Sequence, residues 1–134
     1  MDRYLGYVKA LLRAGLPIRD DWLLEDRDAQ GRLIPLTLPR ELPDAFVCNC
    51  DEAAYNIIEL LKRNGYRVPQ DVAVTGYDDY DFSTRSNPQL TTYRVDLDSM
   101  AHTVVSQLRR KMAHRAPLVP AAIVPGALVR REST

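Results

Sequence analysis

The apolar positions of the chain follow two periods, one typical of helices and one typical of buried strands. Apolar residues recur every three or four positions from about Asp2 to Ala14, after Asp51, and from Leu97 to Met112. This spacing predicts three amphipathic helices. Short runs of β-branched and apolar residues predict strands at Ala45–Cys48, Val72–Thr75 and Leu90–Val95, with one or two more at Ala121–Val124 and Ala127–Arg131.

A strand, a helix and a second strand follow one another between Ala45 and Asp79. Such a unit nearly always forms a right-handed parallel crossover, so the sequence predicts an α/β fold with a parallel sheet. The carboxyl ends of both strands, Asn49–Asp51 and Tyr77–Asp79, then meet at one rim. Ligands of open α/β sheets bind beyond this rim, so we expect the functional site there.

The segment 25–44 interrupts this pattern. Asp28–Gly31 predicts a turn, and three prolines spaced four residues apart argue against a long regular helix. We expect an irregular segment with one helical turn near Pro39–Leu42, preceded by a short strand at Trp22–Leu24. The segment is either a plain connection or a loop that covers a ligand.

Aspartates are expected to begin two of the helices. Asp51 precedes the second helix and Asp96 or Asp98 the last one, and such side chains accept hydrogen bonds from the first free amides. The last helix also carries a continuous apolar stripe, for which core packing is a better interpretation than a cofactor-contacting face. The stripe comprises Leu97, Met100, Ala101, Val104, Val105, Leu108 and Met112.

Composition narrows the class of protein. The 134 residues are 46% hydrophobic and 27% charged, which predicts one packed domain rather than a disordered chain. Eighteen basic residues balance eighteen acidic ones, so there is no electrostatic footprint for nucleic acid or for an anionic membrane. No apolar run has the roughly 20 residues of a membrane span, and the N-terminus does not resemble an export signal. We therefore expect a cytoplasmic protein without membrane contact.

Candidate catalytic chemistry is sparse. The sequence has no glycine-rich phosphate loop and no nucleophile motif, so we expect no cofactor and no enzymatic activity. Cys48 and Cys50 are too close for an unstrained disulfide, and His102 and His114 lie too far along the chain to complete a zinc site. We expect reduced, buried thiols and no metal.

Asp78 and Asp79 are the best candidate carboxylates. Two neighbouring aspartates can hold Mg²⁺ or exchange a proton, which leaves a magnesium-dependent enzyme as an alternative. Adjacent residues at a strand end tend to point in different directions, so a converging pair does not follow. Binding is therefore preferred to catalysis, since carboxylate and amide side chains suit a hydroxyl-rich ligand.

Several motifs together resemble the lactose-repressor family of transcription regulators. Ala45–Ala54 resembles the family's strand-to-helix segment with its "ND" pair, and Gly65–Asp79 resembles G-x-x-V-P-x-D-V-x-V-x-G-Y/F-D-D/N. Pro88–Arg94 is similar to P-x-L-T-T-V-R, Arg131–Thr134 to the terminal R-E-S-T, and Arg3–Tyr7 to R-x-x-G-F/Y. The motifs cover nearly the whole chain in the family's order, which makes the resemblance specific.

The resemblance implies a sensor domain of the type I periplasmic-binding-protein kind, with α/β lobes built as three-layer sandwiches around parallel sheets. Such domains bind a small metabolite, usually a sugar or a nucleobase-like compound, in the cleft between two lobes, and they form homodimers. An N-terminal helix-turn-helix reads the operator, and the effector changes operator affinity by binding two states differently. A periplasmic-type sugar-binding protein is the alternative within the same fold.

Five positions are ligand-binding candidates through this resemblance. Arg3 matches the family's cleft arginine, and Asp78 matches its cleft aspartate. Cys50 stands in place of the cleft asparagine and Val95 in place of a polar residue, and both are poor hydrogen-bonding groups. Asn49 is a further candidate, although it alternates to the other face of its strand.

The resemblance covers one lobe rather than a whole regulator, so residues 1–134 are expected to form a single partial domain. The resemblance also implies that Asp51 caps a helix and that Asp79 stabilises the site without contacting the ligand. The domain would comprise the C-terminal lobe with the helix and strand that return to the N-terminal lobe, while the DNA-binding headpiece has no counterpart. An absent strand would leave an open sheet edge. The last helix, Leu97–Met112, crosses back to the N-terminal lobe in the family, so here its apolar stripe would need another partner. We therefore expect a dimer or a non-standard assembly.

Overall fold

The computed structural model describes residues 2–113 and 121–134. Strands and helices alternate through the middle of the chain, as their apolar periods predict. The elements are α1 (Asp2–Ala14), a 3₁₀ helix (Asp20–Trp22), β1 (Ala45–Val47), α2 (Asp51–Arg63), β2 (Ala73–Asp78), α3 (Asp81–Arg85), β3 (Thr91–Arg94), α4 (Leu97–Met112) and β4 (Ala127–Val129). The expected α/β class is thereby confirmed.

The four strands form one sheet in the order β1-β2-β3-β4. β1, β2 and β3 are parallel to one another, with Phe46 opposite Val74 and Gly76 opposite Thr92. β4 runs antiparallel to β3 and forms the far edge. The parallel order confirms that the carboxyl ends of β1 and β2 share a rim.

The hydrophobic core lies between the sheet and α2. Ile58, Leu61, Val74 and Leu90 have no exposed surface, and Ile57 is 4% exposed. Burying one such side chain stabilises the folded state by roughly 1.5–3 kcal/mol, so this layer dominates the stability of the fold. It also fixes the strand ends from which the candidate site is built.

The C-terminal tail links the amino ends of β2 and β3 through hydrogen bonds. The carbonyl of the buried Ser133 accepts from the Val74 amide at 2.9 Å, and its hydroxyl donates to the Val74 carbonyl at 2.6 Å. The same hydroxyl accepts from the Thr91 amide at 2.8 Å. The terminal motif therefore has a structural role in holding the sheet together.

Several sequence predictions of local structure were wrong. Trp22–Leu24 is not a strand, since the 3₁₀ helix ends at Trp22. Neither the helical turn expected at Pro39–Leu42 nor the strand expected at Ala121–Val124 is formed in the described chain. The short helix α3 was not foreseen. The irregular course of 25–44 is confirmed, with one isolated bridge between Arg27 and Leu33.

Tertiary contacts explain why the chain around Trp22 does not form the predicted strand. Its indole N–H donates to the Glu41 carbonyl at 3.0 Å. The Arg19 guanidinium stacks on the indole ring, 4.2 Å from its centroid, and pairs with Asp21 at 2.7 Å and Glu41 at 2.9 Å. These contacts link two distant loops, and no local period of the sequence encodes them.

The last helix begins as predicted but does not pack as predicted. Asp96 is its N-cap and accepts from the Ser99 amide at 2.9 Å. The expectation that its apolar stripe packs into the core is wrong for the described chain, because Val104 and Leu108 are 52% and 54% exposed and Met112 is 80% exposed. Among the described residues, no helix combines the length and apolarity that crossing a membrane requires.

Candidate functional site

The end of β2 turns sharply at two aspartates. Asp78 has φ +107° and Asp79 has φ +57°, a left-handed region in which aspartate is one of the better-tolerated residues. This turn sends the two carboxylates in different directions. They therefore do not converge on a shared metal or proton, and no group of three metal-binding side chains occurs among residues 2–113 and 121–134.

Arg3 joins the first turn of α1 to the ends of β1 and β2. Its guanidinium donates to the Asn49 carbonyl and, at 3.2 Å, to Oδ1 of Asp78. It also lies over the ring of Tyr77, with Cζ 3.9 Å from the centroid. The Arg3 and Asp78 side chains are 49% and 39% exposed, so the pair is open to solvent and available to a polar ligand.

Tyr77, the ring beneath the Arg3 guanidinium, stacks on a second tyrosine, Tyr93. We refer to these two rings as the aromatic floor. The Tyr77 and Tyr93 rings are stacked with centroids 5.2 Å apart. The Tyr93 hydroxyl accepts from the Gly126 amide at 2.8 Å. A Cβ at position 126 would lie 2.8 Å from Cζ of Tyr93, so only glycine lets the chain approach this closely. The loop that contains Gly126 is thereby hydrogen-bonded to Tyr93.

Asp79 supports the site without facing it. Its side chain is 8% exposed and accepts from Ser83 at 3.0 Å, from Arg94 at 2.6 Å and from Arg131 at 2.7 Å. Burial raises the pKa of Asp79, but the hydrogen bonds from Arg131, Arg94 and Ser83 outweigh it and hold the pKa below its ordinary value. Its carboxylate is fully engaged within the fold.

Asp51 is not the helix cap that the sequence predicts. Cys50 occupies the N-cap position, and Asp51 is the first residue of α2, only 1% exposed. Its carboxylate accepts from the Thr92 hydroxyl at 2.5 Å and from the Tyr80 amide at 2.6 Å. Desolvation raises the pKa of Asp51, against these two hydrogen bonds. The residue therefore ties the ends of the three parallel strands together.

The remaining sequence candidates lie nearby but differ in their contacts. Asn49 contributes its backbone carbonyl to Arg3. Cys50 and Val95 are partly buried at the ends of β1 and β3, and in the described chain neither forms a hydrogen bond with Arg3 or Asp78. Cys48 and Cys50 are unpaired thiols that are only partly buried. Burial raises the pKa of the Cys48 thiol to about 12, which favours the protonated thiol at neutral pH.

Sequence reasoning missed the aromatic floor and the cations that hold Asp79. Tyr77 was visible only as an aromatic residue next to the aspartates, and Tyr93 only as a strand former. Arg131 lies 52 residues from Asp79, so no local pattern links them. A contact of that kind becomes visible only when the tail is placed against the sheet.

Comparisons with known proteins agree on one family. The chain matches the family of periplasmic binding protein-like domains over residues 1–134. It is 34% identical over 114 residues to the HTH-type transcriptional repressor PurR of Glaesserella parasuis serovar 5, covering 82% of this chain and 34% of that repressor. The chain thus spans about a third of the length of this curated relative.

Solved structures show the same relationship. A LacI-type transcription regulator from Bifidobacterium animalis subsp. lactis has a TM-score of 0.78 at 27% identity, over 98% of this chain and 49% of that one. A complex of the transcriptional regulator CelR with cellobiose has a TM-score of 0.82 at 24% identity, over 98% of this chain and 42% of that one, which shows likeness of fold. The chain therefore belongs to the periplasmic binding protein-like domain family and, within it, to the lactose-repressor type of transcription regulator.

Proposed function

We propose that this chain is the effector-binding portion of a transcriptional repressor, and that Arg3 and Asp78 hold a small polar metabolite at the rim of the sheet. The observation that carries the proposal is the solvent-open pair between these two side chains, held over the Tyr77 ring where two parallel strands end. In open α/β sheets this rim is where ligands bind.

The chemistry of the pair favours a ligand with several hydroxyl or amide groups. Arg3 offers a fork of donors and Asp78 offers two acceptor oxygens, so together they match neighbouring hydroxyls of a sugar or the edge of a nucleobase. Because both charges are half exposed, a ligand can replace their mutual contact at low cost.

Regulation would follow from coupling between this site and a DNA-binding segment outside the 134 residues. An effector that binds one arrangement of a dimeric repressor better than another shifts operator affinity by the ratio of those two affinities. The repressor would then act where its operator lies, in the cytoplasm. The relatives are named as repressors, and one structural neighbour is a complex with cellobiose. These names support a metabolite sensor rather than an enzyme.

Calorimetric titration of the chain with a panel of sugars and nucleobases tests the proposal. We expect at least one compound to bind, and Arg3→Ala and Asp78→Ala to weaken it about tenfold or more, since charged hydrogen bonds contribute roughly 1.5–3 kcal/mol. Arg67→Ala is the matched control, because Arg67 forms an exposed ion pair with Asp71 away from the rim. Equal losses in all three variants would contradict the proposal.

A titration with Mg²⁺ tests the alternative of a magnesium-dependent enzyme. That alternative needs Asp78 and Asp79 to act together, whereas Asp79 is already engaged by two arginines. We therefore expect no saturable Mg²⁺ binding that depends on Asp78. Tight binding that Asp78→Asn abolishes would favour the enzyme over the sensor.

A further inference from the structure

Tyr77 and Tyr93 are partners in the parallel register of β2 and β3. The residues before them, Gly76 and Thr92, face the buried Asp51, so the two tyrosines lie on the opposite face of the sheet. Their rings are stacked, with an angle of 24° between the ring planes. The position of the Tyr77 ring therefore depends on where the Tyr93 ring lies.

The Tyr93 ring is also held at its hydroxyl end, by the loop that contains Gly126. The phenol oxygen accepts from the Gly126 amide at 2.8 Å. A Cβ on Gly126 would overlap Cε1 of Tyr93 and the Arg94 carbonyl, so the backbone of the loop lies directly against the ring. The next residue, Ala127, begins β4 and pairs with Arg94. The ring is thus fixed by the loop at one end and by Tyr77 on one face.

The Arg3 guanidinium depends on such a support because its polar contacts are open to solvent. It donates to the Asn49 carbonyl and to Asp78, and the Arg3 and Asp78 side chains are 49% and 39% exposed. An exposed ion pair does not by itself hold a long side chain in one geometry. The third contact is the face of Tyr77, with Cζ of Arg3 3.9 Å from the ring centroid. Since a cation is attracted to the face of an aromatic ring, a ring held in place fixes where the guanidinium lies.

We infer that Tyr93 is a positioning residue for Arg3 and that it acts through the Tyr77 ring. Its hydrogen bond to the Gly126 amide keeps the stacked rings from sliding along the sheet. The motif that Pro88–Arg94 resembles has valine at this position, and valine offers neither a stacking ring nor a hydroxyl. The support is therefore a feature of this chain that the motif does not supply.

The consequence for ligand binding rests on the proposed function, because Arg3 is one of the two groups proposed to hold the metabolite. Binding costs less conformational freedom when the guanidinium is already held in one place. Tyr93→Phe should therefore weaken any ligand that uses Arg3, without a contact between Tyr93 and that ligand. The positioning of Arg3 itself can be measured in the absence of a ligand.

Proton NMR of the ¹³C- and ¹⁵N-labelled chain tests the inference. Protons above the face of an aromatic ring resonate upfield, so the Cδ and Nε protons of Arg3 should lie upfield of those of the exposed Arg67. Tyr77→Leu removes the ring and gives the value without this shift. Tyr93→Phe keeps a stacked ring and removes only the hydroxyl, and we expect it to lose most of the shift. The Gly126 amide should exchange about tenfold faster or more in this variant, because its hydrogen-bond acceptor is gone.

Tyr55→Phe is the matched control, because Tyr55 belongs to another aromatic pair, with its ring centroid 5.5 Å from that of Phe82. It should leave the Arg3 protons and the Gly126 amide unchanged. Arg3 protons that are not shifted upfield in the parent chain would overturn the inference. So would a shift that Tyr93→Phe leaves intact, or an equal loss in the control variant. If the shift depends on Tyr93 but no sugar or nucleobase binds, the positioning of Arg3 is supported and the proposed function alone fails.

Discussion

Asp78 and Asp79 are adjacent in the sequence, yet their carboxylates serve opposite sides of the rim. Asp78 faces Arg3 in the open, whereas Asp79 is buried against Arg94 and Arg131. Two consecutive left-handed residues produce this divergence. One aspartate is thereby open to solvent beside Arg3, while its neighbour holds the turn in place.

Because the two carboxylates have different surroundings, aspartate-to-asparagine substitutions at positions 78 and 79 should change the free energy of unfolding by different amounts. Asp79→Asn should lower the free energy of unfolding by about 2–4 kcal/mol, because it leaves Arg131, which is only 14% exposed, without its counter-ion. Asp78→Asn should lower it by less than about 1 kcal/mol, since exposed ion pairs contribute little and asparagine also tolerates positive φ. Urea unfolding of both variants measures the difference. Similar losses would show that Asp78 is as structural as its neighbour.

Replacing glycine by alanine should change stability in opposite directions at Gly76 and Gly6. A Cβ on Gly76 would lie 2.7 Å from Cδ2 of Leu90 and would overlap the Asp51 carboxylate. Gly76→Ala should therefore destabilise the fold by about 1–3 kcal/mol through overpacking. Gly6→Ala is the control: Gly6 lies within α1 with nothing within 4 Å of the added methyl. It should raise stability by about 0.5–1 kcal/mol, and thermal unfolding measures both. A neutral Gly76→Ala would contradict the packing at this position.

The sequence predicts the structural features that depend on nearby residues, and it misses those that depend on contacts between distant residues. The helices and parallel strands follow from apolar periods, so α1, α2, α4 and β1–β3 were predicted within a few residues. Asp51 was assigned to a cap because its sequence position suits one, but its carboxylate binds Thr92, 41 residues away. The aspartate at the end of β2 and the arginine of α1 became candidates through motifs, and their ligand-binding role stays a prediction. Their aromatic floor depends on β3 and the last loop, which no local pattern brings together.

The buried carboxylate of Asp51 predicts a pH dependence of opposite sign to that of Asp79. Desolvation raises the folded-state pKa of Asp51 above its unfolded value. Its contribution to stability is therefore fully present below the unfolded pKa and is lost as pH rises through the folded pKa. The pKa of Asp79 is lowered in the folded state despite burial, so its contribution is present above the unfolded pKa and is lost as pH falls through the folded pKa.

Asp51→Asn separates these two contributions. Asparagine does not titrate, so the variant lacks the loss that the parent chain suffers as pH rises through the Asp51 pKa. The difference in unfolding free energy between parent and variant should therefore shrink from low to neutral pH. Urea unfolding at several pH values from 4 to 7 measures this trend. A difference that grows with pH would show that Asp51 is stabilised in its charged form.

The exposed stripe of α4 predicts self-association of the chain. Val104 and Leu108 lie one helical turn apart and are 52% and 54% exposed, which places them in an apolar surface of the kind that marks interfaces. Light scattering should therefore give a mass above that of one chain. Val104→Lys combined with Leu108→Lys should reduce the mass to one chain and change the free energy of unfolding by less than about 0.5 kcal/mol, since neither side chain is buried. Val47→Lys, at the other end of the sheet, should leave the mass unchanged. A single-chain mass for the parent protein would contradict this prediction.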